Sequence, residues 1–231
     1  GNTRPSTASR YPCRSHTGND GLDKLMYGAL SSDTIVISRE VVREVGLRPE
    51  IRVGVIDVEL PFNARGEDGY KEFIIENVLL NDIITMLALR YTAQGKGVMI
   101  YVELIEHGSV LKALLPTATF IHGQASLEER NAALAHAKGH ILIATRVLSE
   151  SLDAPDIDVV INAAANKSPI RLSQLLGRSL RGGRDKVVYV FDFMHRDGAT
   201  FERRSRKRRT HWQAEADVVV MLDAKSLEGK P

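Results

Sequence analysis

Gln174, Arg178 and Arg181 stand at i, i+4 and i+7 in the run QLLGRSLRGGR, residues 174–184. On a helix this spacing brings one amide and two guanidiniums to the same face, while Leu172, Leu176 and Leu180 fall on another that can pack. Two guanidiniums aimed at one point repel each other unless an anion or a carboxylate lies between them. Their planar, fork-shaped donor sets suit a phosphate, or the charge that develops on a phosphoryl group in transfer. Acidic neighbours in the fold would satisfy the same pair without any ligand.

A second basic element is Arg203-Arg204-Ser205-Arg206-Lys207-Arg208-Arg209, with Trp212 just beyond. As a helix it spreads six positive charges around the axis and gains little by packing. Contact with phosphates would give Arg203, Arg204, Arg206 and Lys207 a role; a solvated helix or a localisation signal are the other readings. Trp212 is expected to anchor the helix by packing rather than to stack on a base. From Ala163 to His211 there are thirteen Lys and Arg against four Asp and Glu, although the whole chain carries only +2. A basic segment on an otherwise acidic chain points to a polyanionic partner. The histidines and carboxylates show no metal-ligand spacing, and the single Cys13 excludes an internal disulfide or a Cys-built zinc site.

Positioning these residues requires a scaffold, and the hydropathy pattern supplies one. Residues 51–60 read as a strand, and Tyr70–Gln94 as one long helix closed by Gly95 and Gly97. Short apolar strands then follow at 97–102, 119–121, 140–144, 158–162 and 186–193, separated by helical or loop segments. Ser126 with Glu129 forms a capping box, and Ser168-Pro169 opens another helix. Alternating buried strands and helices predict an α/β fold, doubly wound, with a mainly parallel sheet and helices on both faces. In such sheets ligands sit at the carboxyl ends of the strands. Those ends carry His122-Gly123, Thr145-Arg146 and Asn162 through Lys167. With 231 residues and 43% apolar content the chain can bury one sizeable core. No run approaches the ~20 apolar residues of a membrane helix, and the start resembles no signal peptide, so the expected place is cytoplasmic with no membrane partner.

Residues 141–155 (ILIATRVLSESLDAP) and 174–181 (QLLGRSLR) resemble motifs V and VI of superfamily 2 helicases, in order and at about the right distance. Residues 96–115 resemble the motif IV strand and its helix, and 120–130 the segment between motifs IV and V. The likeness is to DEAD/DEAH-like helicases and translocases of the XPB and UvsW types, and it implies a RecA-like C-terminal lobe. It further implies that Arg181 is an arginine finger reaching ATP, that Arg178 faces the phosphates, and that Gln174, Gly177 and Asp153 lie beside the nucleotide. Ser151 departs from the pattern, which has glycine two residues before that Asp. Thr145, His122 and Gly123 would lie along the nucleic-acid strand, DNA or RNA. No Walker A loop or Asp-Glu-x-Asp/His box is present, so ATP and Mg²⁺ would be shared with an N-terminal lobe in the same or a separate chain. The expected organisation is a leader or first-lobe remnant over 1–21, a connecting segment ending in a helix over 22–95, and the RecA-like domain over 96–225.

Overall fold

The computed structural model describes residues 49–59, 69–145, 156–166, 186–196 and 200–227. Among them seven strands form one sheet: β1 (Glu50–Glu59), β2 (Val98–Tyr101), β3 (Thr119–Ile121), β4 (Ile141–Ala144), β5 (Val159–Asn162), β6 (Val187–Arg196) and β7 (Val218–Asp223). The order is β3-β4-β2-β5-β6-β1-β7, and every pairing is parallel. The helices are α1 (Val78–Ala93), α2 (Ile105–Leu114), α3 (Leu127–Ala135), α4 (Thr200–Glu215) and the short α5 (Ala224–Leu227).

β2, β4 and β5 are buried at every residue, which is why each reads as an apolar run, broken only by Asn162 at the end of β5. Successive side chains alternate between two core layers. Ile56, Val58, Val98, Ile100, Ile143, Ile161 and Phe193 join Ile84 and Leu87 of α1 and Leu111 of α2. Val53, Val55, Met99, Leu142, Val160 and Val190 pack on the other face with Leu134 of α3 and Trp212 of α4. The doubly wound reading from sequence is therefore realised, with helices on both faces.

Three elements differ from the sequence reading. The helix expected over Tyr70–Gln94 is interrupted: Lys71–Ile75 forms a single π-helical turn and α1 starts afresh at Val78. Asn77 causes the break, because its Oδ1 accepts from Leu80 N at 3.0 Å and its Nδ2 donates to Phe73 O at 3.1 Å. Asn side chains that bond local backbone favour caps over helix interiors. β6 runs on to Arg196, past the expected end at Phe193, because β1 continues beside it as far as the Glu59–Arg196 pairing. β7, on the far side of β1, has no counterpart in the sequence reading. The segment 22–95 thus contributes β1, the strand next to the β7 edge, and α1.

Candidate functional site

The carboxyl edge of this sheet gathers the chemistry. The chain leaves β2 toward the β3 edge and leaves β5 toward the β7 edge, so β2 and β5, which are neighbours, form the switch point where α/β sheets bind ligands. There Asn166 Nδ2, just after β5, donates to Glu103 Oε2, just after β2, at 3.0 Å. Ala165 holds a positive φ of 40°, unusual for a residue with a Cβ and a mark of a constrained turn. Tyr70 Oη donates to Ala164 O at 2.9 Å and so grips the same loop. Burial, helped by the nearby Glu103 carboxylate, pushes the Tyr70 phenol up, and it stays a neutral donor.

From below, the loop is held by a buried polar knot. Asp192 of β6 and Arg208 of α4 are 2% and 1% exposed. Arg208 Nε donates to both Asp192 oxygens at 3.0 and 3.1 Å. Its Nη1 donates to Asn166 O and its Nη2 to Phe193 O, each at 2.8 Å. Trp212 Nε1 donates to Asp192 Oδ2 at 2.7 Å, and Asn162 Nδ2 to Oδ1 at 3.1 Å. A buried ion pair is tolerable when its lone pairs and protons are satisfied in this way. Trp212 is a packing anchor, as expected. The expectation that the basic run gains little by packing is corrected: Phe201, Ser205, Arg208 and Trp212 form one buried stripe of α4.

The sequence-derived candidates separate into three groups. His122 and Gly123 follow β3, and Thr145 follows β4; Thr145 N donates to Ile121 O at 3.1 Å, so the neighbouring strand ends bring the three together. Gly123 is exposed and His122 half-buried, its ring edge-on to Phe120 at 5.1 Å, whereas Thr145 is buried. Arg203, Arg204, Arg206 and Lys207 lie on α4, which packs on β6 at the other side of the switch point. Arg203, Arg206 and Lys207 are exposed; Arg206 pairs with Glu202, and the Arg204 guanidinium sits 5.6 Å from the Phe201 ring centroid. Three strand spacings, roughly 14 Å, separate β4 from β6. Gln174, Gly177, Arg178, Arg181, Asp153 and the Ser168-Pro169 helix start lie outside the described residues.

Asn166 lies in the strand-end run Asn162 through Lys167 that the sequence pointed to, whereas Glu103, Asp192, Arg208 and Tyr70 were not among the candidates. For Arg208 a signal existed, since it falls on the same helical stripe as Phe201, Ser205 and Trp212. Asp192 stands alone in an apolar strand, and only a buried partner explains it. Among the described residues no cluster of three or more His, Cys, Asp or Glu could hold a metal ion, and no helix is long and apolar enough to cross a membrane.

Residues 79–183 match the helicase conserved C-terminal domain family, a span that runs from the second residue of α1 through the run 174–181. Residues 79–183 carry a helicase C-terminal domain of the superfamily 2 type. The chain is 31% identical over 124 residues to the ATP-dependent rRNA helicase RRP3 of Candida albicans, covering 51% of this chain and 21% of that protein. It is 26% identical over 166 residues to the RRP3 of Pyricularia oryzae, covering 67% of this chain and 29% of that one. Two solved structures share the fold. T4 UvsW superposes with a TM-score of 0.62 at 18% identity, over 75% of this chain and 42% of that one. Saccharomyces cerevisiae Dbp5 bound to RNA and ADP BeF3 gives 0.56 at 15%, over 92% and 51%. This helicase lobe has the RecA-like sheet the strand order describes, and the chain spans less than a third of the curated relatives' length.

Proposed function

We propose that this lobe is the C-terminal half of an ATP-dependent superfamily 2 helicase or translocase motor. Arg181 acts as arginine finger and Arg178 as its companion at the γ-phosphate, with Gln174, Gly177 and Asp153 lining the nucleotide. Both guanidiniums stabilise charge that grows as water attacks phosphorus. The Walker loop and most of the Mg²⁺ shell come from an N-terminal RecA-like lobe, in the parent chain or a separate one. Nucleic acid runs over the carboxyl edge, past His122, Gly123 and Thr145, with Arg203, Arg204, Arg206 and Lys207 of α4 as further phosphate contacts. Because the matched relatives are named as RNA helicases, RNA is the first track to test and DNA the second.

The observation that carries this reading is that the family match includes the run QLLGRSLR, which begins eight residues after the Asn166 loop at the sheet's switch point. The test is ATP hydrolysis by the chain alone, with and without single-stranded RNA or DNA, beside an Arg178→Ala/Arg181→Ala control. No turnover above the control is expected, and addition of a matching Walker lobe should restore turnover that the double variant lacks. Turnover by the chain alone that vanishes in the control would sink the half-motor reading.

A second reading is a nucleic-acid-binding module without motor work, and the unpaired exposed cations Arg203 and Lys207 favour it among the described residues. Binding indifferent to Arg178→Ala and lost on Arg203→Ala/Lys207→Ala, with no turnover beside any Walker lobe, would support that module.

A further inference from the structure

α4 has two faces with different tasks, and one residue joins them. Arg203 and Lys207 are exposed at i, i+4, with no ion-pair partner among the described residues. On the opposite stripe Arg208 reaches through the core to Asn166 O, the last described residue of the β5 loop. That loop is gripped from three elements at once: Tyr70 on Ala164 O, Glu103 on the Asn166 amide, and Arg208 on the Asn166 carbonyl. Its Ala165 keeps a left-handed backbone that a relaxed loop would abandon. Arg208 is itself fixed by Asp192, and Asp192 by Trp212 and Asn162, so the helix cannot shift without disturbing the loop.

We propose that Arg208 is a positioning residue that couples the polyanion-facing surface of α4 to the β5 loop, through the Asp192–Arg208–Trp212 knot. Nucleic acid bound on Arg203 and Lys207 thereby tightens the loop at the switch point. The proposal rests on the reading of α4 as a nucleic-acid contact. Coupling of this kind needs a continuous packed and hydrogen-bonded connection between the two sites, and the knot is one.

Trp212 is the only tryptophan in the chain and donates to Asp192, so its emission reports on the knot directly. The experiment titrates the chain with short oligouridine, and with oligothymidine of equal length. Trp212 fluorescence and amide exchange of the 159–166 segment are read together. In the wild-type chain, binding should shift the emission and slow exchange in that segment by a factor of roughly 5 or more, the scale of ordinary site-to-site coupling. Arg208→Lys keeps the charge but loses the fork. It should bind with a Kd within a factor of about two of wild type, since no exposed cation changes. The binding-linked changes in emission and exchange should be gone. Trp212→Phe, read by exchange alone, gives the same comparison if Arg208→Lys does not fold. Salt-sensitive binding that leaves wild-type emission and exchange unmoved overturns the coupling and spares the nucleic-acid face. So does an equal response in Arg208→Lys. Absence of binding, or binding insensitive to Arg203→Ala/Lys207→Ala, overturns the α4 reading and the coupling with it.

Discussion

At the scale of single residues, the buried polar groups decide more than the exposed ones. His195 is 1% exposed, flanked by the rings of Phe193 and Phe201, and its Nδ1 has no partner among the described residues. Burial, reinforced by the Arg208 charge, pulls it down to about 3. His107, hydrogen-bonded to Asn81 at 2.9 Å, is pulled down to about 4 by burial. Both are neutral in the fold while the unfolded chain protonates near the ordinary 6.5. The unfolded state therefore takes up protons first as pH falls. Stability should be level above about pH 7 and decline from there toward pH 5, by up to ~1.4 kcal/mol per unit for each histidine. Urea midpoints at pH 7, 6 and 5 measure this, and His195→Phe should lose part of the decline; an unchanged profile would mean that His195 is not held neutral.

Elements add constraints that no single side chain shows. Gly97 enters β2 where an added Cβ would lie 2.0 Å from Asp156 O and 2.8 Å from Ala137 O. Backbone on two sides cannot retreat as a flexible side chain would. Gly97→Ala should cost about 1–3 kcal/mol or more, read as a fall in Tm of several degrees. At the start of α3 the capping box is complete: Ser126 Oγ accepts from Glu129 N at 3.1 Å, and Glu129 Oε2 from Ser126 N at 2.7 Å. Ser126→Ala should cost about 1 kcal/mol in urea unfolding. Because α3 packs beside β3, four strand places from the β6 that carries α4, the variant should leave the share of binding due to Arg203 and Lys207 unchanged.

For the whole molecule, the distribution of charge matters more than its sum. The net +2 is nearly neutral, yet α4 alone places Arg203, Arg206 and Lys207 in solvent. Each single-strand phosphate neutralised adds about 0.7 to the slope of log K against log salt. Arg203→Ala/Lys207→Ala should therefore reduce that slope by about 1.4, in fluorescence anisotropy titrations over a range of salt. Arg206→Ala should change it less, because Glu202 already shares its charge. Equal effects from all three would mean that the Glu202 pair does not persist in solution.

Periodicity and composition by themselves determined the α/β class, the positions of the buried strands and the Ser126 cap. These depend on neighbours within a few residues, and the local signal is strong where β2 and β4 are apolar throughout and β5 is apolar up to Asn162. That His122, Gly123 and Thr145 stand at strand ends was legible too, but that β3 and β4 are neighbours, which brings them together, was not. What only the structure decided lies, the local Asn77 break apart, at long sequence separation. Asn77 broke a helix that spacing alone joined, because its two hydrogen bonds outweigh the apolar rhythm around it. β6 outran its apolar core because β1, far earlier in the chain, pairs with it to the end. Arg208 looked like one more charge in a basic run. It became the centre of a buried polar knot because Asp192, sixteen residues away, offers a buried carboxylate with which it pairs.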